Sequence, residues 1–349
     1  MKNNPLKIVT VNASTRYNVV IGKNILDSVG EKIKEIIAPS KCAIITDDVV
    51  DGLYSDRVIK SLEACGFTTV KFVFKNGEES KNIKTYGDAL EFLAQNELTR
   101  TDLIVALGGG VVGDMAGFLA GTYLRGIKYV QIPTTLLAGI DSSVGGKTAI
   151  DLSHGKNLAG VFYQPSLVVC DVDTFSTLPC DVFEGGMGEV AKYVVLDKKI
   201  YSLIKGGNYN IEDLVYLAVD YKRQIVEADE FEGGKRKLLN FGHTPAHGIE
   251  RLSEYKIPHG IAVAMGVRII LEKSLKHGYI TESDFDDINS VVDLCVSKRQ
   301  NPYQLEDIAT ACLTDKKRKG DYISFMMVYG VEDVREVKVN VKEVKEFLK

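Results

Sequence analysis

Leu103-Ile-Val-Ala-Leu107 runs straight into Gly108-Gly-Gly-Val-Val-Gly113-Asp114, and this junction points to a parallel α/β architecture. Five consecutive aliphatic residues closed by glycine predict a short strand. The glycines match G-x-G-x-x-G after a strand and ahead of a helix, the context in which such a turn receives a pyrophosphate. Glycine lets the backbone approach the anion, and the helix N-terminus offers N–H donors and a positive dipole end. Taken alone, the motif is as often a packing turn. It also falls in the middle of the strand series, so a standard first-turn dinucleotide fingerprint is not what the chain carries.

Outward from that turn the pattern repeats. Apolar runs at Cys42–Thr46, Val70–Phe74, Tyr129–Ile132 and Leu167–Cys170 alternate with amphipathic segments at Ile25–Ile37, Arg57–Cys65 and Thr85–Asn96. That alternation predicts a mainly parallel sheet covered by helices, with ligands at the carboxyl ends of the strands. Those ends carry polar groups: Asp47-Asp48, Gly77-Glu78-Glu79-Ser80-Lys81 and Pro133-Thr134-Thr135. Before them, Lys7–Val11 and Tyr17–Ile21 alternate as strands. Gly145-Gly-Lys147-Thr148 resembles the tail of a P-loop, but Asp141 stands where the upstream glycine is required, which excludes that reading. Lys147 and Lys156, on glycine-rich loops, suit an anionic ligand.

Leu178-Pro179 marks a boundary, giving an α/β domain over 1–178 and a chiefly helical domain over 179–349. In the second, Glu189 and Lys192 share a helix face at i, i+3, as a surface ion pair would, unless Glu189 faces the histidines and completes a carboxylate-plus-two-His site. Three of the five histidines fall between positions 243 and 259. Such a cluster beside Glu and Asn reads first as a metal site. His243 and His247 are four apart, but Pro245 suggests that Thr244 caps a helix and Pro245 opens it, with His243 just outside. His259 is expected in a loop. Spacing leaves open which two of the three histidines bind metal. Residues 332–349, rich in Glu, Lys and Val, read as a solvated helix or strand pair.

The net charge of −4 gives no bias toward nucleic acid. No apolar run reaches membrane-spanning length and no signal-peptide core is present, so the chain reads as cytoplasmic, without a membrane partner. Six cysteines without a Cys-x-x-Cys pair predict reduced thiols rather than a disulfide framework or a thiolate zinc site.

Together these motifs resemble the 3-dehydroquinate synthase family, in collinear order from about Asp47 to Lys317. The resemblance also rests on Tyr-Leu-Arg125-Gly, Gly-Met-Gly-Glu189-Val-Ala-Lys192-Tyr, the run from Arg236 through His247, His259-Gly and Asp315-Lys-Lys317. It implies a Rossmann-like NAD-binding domain joined to an all-α metal-binding domain, with the active site between them. Glu189, His243 and His259 would be ligands of zinc, with cobalt as the alternative, and His247 a proton-transfer residue. NAD would be bound by Asp47, Asn76, Gly77, Glu78, Glu79, Ser80, Lys81, Gly110, Val111, Val112, Gly113, Asp114, Thr134, Thr135, Lys147, Lys156, Thr174, Phe175, Ser176 and Thr177. Arg125, Asp141, Lys147, Asn157, Lys192, Lys222, Arg236, Asn240 and Lys316 would line the pocket for a phosphorylated keto-acid sugar.

The reaction so implied is a phosphate-eliminating cyclisation in which NAD is consumed and regenerated each turn, carried out by a homodimer of the shikimate pathway. The rivals are another sugar-phosphate cyclase, of the deoxy-inosose or valiolone type, and a metal-dependent glycerol or alcohol dehydrogenase. The chain departs from the family at Thr244-Pro-Ala-His247, usually Thr-Phe-Gly-His, at Gly188, usually Ala, and at Gly139, usually Gln. None of these replaces a proposed ligand.

Overall fold

Parallel strands need crossover connections, and the amphipathic segments between the apolar runs supply them. The computed structural model describes residues 6–296, 300–313 and 321–349. It groups into two units, Met1–Leu178 with Val219–Phe231, and Pro179–Ala218 with Glu232–Lys349. Residues 219–231, assigned to the second domain by a single cut at 178, therefore belong with the first. There Asn12 and Ser14 at the first hairpin turn donate to Glu227 and Glu230.

The first unit opens with an antiparallel hairpin, β1 (Lys7–Asn12) and β2 (Arg16–Gly22). It continues through α1 (Val29–Lys34), β3 (Lys41–Asp47), α2 (Asp48–Val50), α3 (Asp56–Ala64), β4 (Thr68–Phe74), α4 (Ile83–Gln95), β5 (Leu103–Gly108), α5 (Gly110–Thr122) and β6 (Lys128–Pro133). A second hairpin, β7 (Lys147–Leu152) and β8 (Gly155–Phe162), precedes β9 (Leu167–Asp171).

The main sheet has the order β1-β2-β9-β6-β5-β3-β4. From β2 to β4 every neighbouring pair is parallel. Period-2 alternation places the two faces of β5 in different cores. Leu103, Val105 and Leu107 pack with Val29 and Ile33 of α1 and Val58 and Leu62 of α3. Ile104 and Ala106 pack with Ala89 and Leu93 of α4 and with Met115 and Leu119 of α5. Helices thus cover both faces, as a fully apolar central strand demands.

Chain order reverses between β3 and β5: β4 lies outward on one side, and β6 and β9 on the other. Ligands of open α/β sheets bind at such a switch point, beyond the carboxyl ends of the strands. Here Asp47 and Gly108 flank it.

The second unit holds α6 (Cys180–Leu196), α7 (Lys198–Gly206), the first part of α8 (Ile211–Ala228), α9 (His243–Leu252), α10 (His259–Lys276), α11 (Glu282–Cys295) and α12 (Leu305–Cys312). A two-stranded hairpin, β10 (Tyr322–Gly330) with β11 (Asp333–Asn340), and α13 (Val344–Leu348) follow. The unit is helical with one hairpin rather than wholly helical. Its tail is not merely solvated, since Val339, Val344 and Leu348 are buried. Helix α10 is apolar nearly all round, as a central helix must be.

All six cysteines are free. No helix among the described residues is long and apolar enough to cross a membrane.

Candidate active site

Three side chains from three helices converge in the second unit. Glu189 lies in the middle of α6, His243 opens α9 and His259 opens α10. Glu189 Oε1 stands 3.6 Å from His243 Nε2 and 3.3 Å from His259 Nε2. One donor atom from each residue lies within 4.8 Å of the other two, so the three can share one cation. A carboxylate with two imidazoles is a donor set suited to zinc with a position left open.

The local backbone explains the convergence and corrects two expectations. Helix α9 begins at His243, not at Pro245, because Gly242 takes φ 76° as the residue before it. A left-handed turn suits glycine and lets the helix start two residues early. Pro245 is tolerated as the third helical residue, where its missing N–H would have had no intrahelical acceptor. The Thr244 hydroxyl does not cap; it donates to the Ser324 carbonyl. His243 and His247 are therefore four apart on one helix, with rings 5.8 Å apart. His259 is the first residue of α10 rather than part of a loop.

Ring orientation is fixed from behind. His243 Nδ1 lies 3.1 Å from the Phe241 carbonyl and His259 Nδ1 lies 3.2 Å from Glu250 Oε1. With the proton on Nδ1 donated to these acceptors, each ring presents Nε2 toward Glu189. Burial disfavours the charged form of His259. Hydrogen bonds and attraction from Glu189 and Glu250 outweigh that, and its pKa is raised to about 10. Lys192, expected as a surface partner of Glu189, is instead buried with it, at 2.6 Å from Oε2.

Among the other residues of this unit named from sequence, Arg236 is almost wholly buried on the turn Lys235–Asn240. Asn240 donates to Glu232 Oε1 at 2.6 Å. The His247 ring stands 6.3 Å from that of His259. Lys316 lies outside the described residues. Glu232 was not singled out from sequence, and Glu250 entered only as the glutamate beside the histidine cluster, because only the tertiary fold brings their partners to them. Glu250 does share a helix face with His243 and His247 at i+7 and i+3, a periodicity that could have found it.

In the first unit, strand ends gather a charged cluster. Buried Lys81 donates to Asp114 at 2.6 Å and to the side-chain oxygen Oδ1 of Asn157 at 2.5 Å. Glu78 lies 3.9 Å from Lys81 and 3.8 Å from Lys156. Burial pushes the Asp114 carboxyl upward against the pull of Lys81. Burial lowers Lys81, but Asp114 and Glu78 outweigh it and hold the ammonium above its usual value. Asn157 sits at φ 54°, its N–H held by Asp151 at 2.7 Å. Strain of this kind concentrates at functional sites.

Asp141 lies on a π-turn, Ala138–Ser142, and pairs with buried Lys222. Turns of this type recur at functional sites.

The glycine turn closes on Thr134 and Thr135. The Thr134 N–H donates to the Gly108 carbonyl, and a Cβ at Gly109 would meet Thr135 at 2.9 Å. Val111, Val112 and Gly113 follow in the first turn of α5, whose first residue is Gly110. Asp47 caps α2 by accepting from the N–H groups of Val49 and Val50. The N–H of Asn76 donates to Asp48, and Gly77, Glu79 and Ser80 continue the same loop.

The hydroxyls of the Thr174–Thr177 stretch bond internally: Thr174 to the Asp171 carbonyl, Ser176 to that of Asp173, and Thr177 with Tyr54. Phe175 fills the space over Gly139, where a Cβ would stand 2.8 Å from its ring. That packing leaves no room for a side chain at position 139 unless Phe175 moves. Lys147 is exposed at the start of β7, and Arg125 is exposed on a 3₁₀ turn at φ 69°.

Comparison with solved structures shows which proteins share this fold. 2-Deoxy-scyllo-inosose synthase, solved with carbaglucose-6-phosphate, NAD+ and Co2+, is similar with a TM-score of 0.87 at 24% identity, over 98% of this chain and 99% of that one. 2-epi-5-epi-Valiolone synthase from Streptomyces hygroscopicus, with NAD+ and Zn2+ bound, is similar with a TM-score of 0.85 at 23% identity, over 97% and 98%.

By sequence the chain belongs to the 3-dehydroquinate synthase family. Residues 71–185 match the family's N-terminal model and residues 186–318 its C-terminal model. The 3-dehydroquinate synthase of Streptococcus thermophilus is 42% identical over 349 residues, covering 95% of this chain and 96% of that protein.

Proposed function

We propose that the chain is a lyase that converts 3-deoxy-arabino-heptulosonate 7-phosphate to 3-dehydroquinate and phosphate, using NAD and zinc or cobalt. The observation that carries this reading is the convergence of Glu189, His243 and His259 on one point, in a chain 42% identical to a 3-dehydroquinate synthase. Its setting is a homodimer in the cytoplasm, as the family resemblance implies.

The residues present fit both groups. Two imidazoles and a carboxylate match the zinc donor set. The buried Thr134 hydroxyl makes no hydrogen bond among the described residues, and it lies beside a glycine turn whose Gly109 leaves no room for a side chain. A buried polar atom of this kind suits a ligand that supplies its partner. When bound, the dinucleotide accepts and returns a hydride while the cation polarises the reacting hydroxyl.

The chain's own residues position the substrate and move its protons. Arg236 offers a planar fork suited to phosphate or carboxylate, already desolvated and so strong in its attraction. Glu232 fixes the amide of Asn240. Lys222, held by Asp141, and Lys192, held by Glu189, add positive charge at set points for a substrate that carries both anionic groups. Lys81 orients Asn157 through its side-chain oxygen. His247 can carry a proton on either ring nitrogen, which the elimination of phosphate and the later ring closure require. Holding an open-chain intermediate in a closing geometry is a positioning task.

The test is to mix purified protein with the seven-carbon phosphate, with and without NAD and zinc. Phosphate release that depends on both, without net NADH, is expected. Net NADH accumulation, or turnover of a neutral sugar phosphate alone, would overturn the reading.

A further inference from the structure

We infer that Glu250 is a positioning residue for the metal centre, selecting the ring tautomer of His259 and strengthening it as a ligand. This deepens the reading of Glu189, His243 and His259 as a cation site and rests on it.

Glu250 lies on α9, seven residues after His243 and three after His247, so the three share one helix face. Its side chain is only 5% exposed. From that face it reaches the first residue of α10: Glu250 Oε1 accepts from His259 Nδ1 at 3.2 Å, while His259 Nε2 stands 3.3 Å from Glu189 Oε1. A neutral imidazole has one proton, and the nitrogen that keeps it cannot bind metal. An acceptor behind Nδ1 therefore leaves Nε2 as the free donor.

The two histidines differ in what stands behind them. His243 faces the neutral Phe241 carbonyl, whereas His259 faces a carboxylate. A carboxylate acceptor raises the basicity of the ring as well as fixing its plane. His259 keeps 36% of its side-chain surface exposed against 13% for His243. The ring with the larger exposed surface is the one anchored by a charged acceptor. A buried carboxylate is costly, and a role in ordering a metal ligand accounts for its place at this spot.

The experiment compares parent, Glu250→Gln and Glu250→Ala for zinc affinity by competition with a chromophoric chelator. It also records the visible d–d spectrum of each protein at saturating cobalt. Losing the charge while keeping the shape (E250Q) is expected to weaken zinc binding by about tenfold, and losing both (E250A) by up to about a hundredfold. The cobalt bands of E250Q at saturating metal should shift, a change that a merely structural role for Glu250 would not produce. Affinity within twofold of the parent and unshifted bands in E250Q would overturn the inference, and E250Q decides if E250A does not fold. A parent protein that binds no zinc would instead overturn the metal-centre reading itself.

Discussion

Gly188 and Gly260 meet across the crossing of α6 and α10 so closely that a Cβ on Gly188 would stand 2.0 Å from the Gly260 carbonyl oxygen. Gly260 in turn faces the Gly185 carbonyl, at 1.8 Å for a built Cβ. Each glycine neighbours a proposed ligand, Glu189 after Gly188 and His259 before Gly260. The backbone contact therefore sets how near the carboxylate comes to the imidazole. Helix axes normally stay 8–10 Å apart, and only residues without side chains allow such an approach.

Gly260→Ala should force α6 and α10 apart. The expected cost is about 1–3 kcal/mol of stability, the usual range for overpacking, together with weaker zinc binding as Glu189 recedes from His259. Urea melts of the metal-free protein and zinc titration measure the two effects. An alanine variant with parental zinc affinity would mean that the crossing does not set the ligand distance.

Lys81 and Asp114 should behave as one unit in the first domain. Lys81→Ala leaves the Asp114 carboxylate without its 2.6 Å partner, a change that costs on the order of 3 kcal/mol for a buried pair. Adding Asp114→Asn should cost less than the sum of the single changes, with a coupling of about 1–2 kcal/mol for residues in direct contact. A double-mutant cycle on urea unfolding tests this, and strict additivity would contradict the pairing.

Asp171 is a structural counterpart. Its buried carboxylate accepts from the backbone N–H groups of Asn24, Ile25, Leu26 and Asp173, tying the end of β2 to the end of β9. Asp171→Ala strands the Ile25, Leu26 and Asp173 donors, Asn24 keeping its second bond to Asp173, and should cost on the order of 3 kcal/mol. Thermal melts should show the loss, and an unchanged midpoint would contradict it.

The sign of the pH dependence at the metal centre follows from His259, whose pKa in the metal-free protein is raised to about 10. In the unfolded chain the ring titrates near 6.5. The charged ring therefore stabilises the metal-free fold fully below about pH 6.5, and that contribution fades as pH rises toward 10. Zinc must displace this proton, so its apparent affinity should rise about tenfold per pH unit between 6.5 and 10. Chelator competition across that window is the measurement, and a flat profile would show that the ring is already neutral.

Legibility from sequence followed the range of the interactions involved. The strand at Leu103–Leu107 and its glycine turn were readable because a doubly buried parallel strand has few alternatives to an unbroken aliphatic run. The start of α9 was misread because the left-handed dihedral of Gly242 is a tertiary choice that Gly-His-Thr-Pro does not announce. The membership of Val219–Phe231 was invisible since a helix pattern shows which face is apolar but not which unit it packs against. The roles of Glu232 and Glu250 depend on contacts with Asn240 and His259, and the burial of Lys192 on the packing around α6. Spacing left the choice among His243, His247 and His259 open, and the family resemblance named the pair that the backbone turns toward Glu189.

The most direct test of the central claim is the zinc content of protein stripped and reloaded at neutral pH, beside Glu189→Ala, His243→Ala and His259→Ala. One zinc per chain in the parent is predicted, with affinity reduced by more than about a hundredfold in each variant, beyond what loss of an outer partner does. Full zinc content at parental affinity in any of the three would contradict a cation shared by these residues.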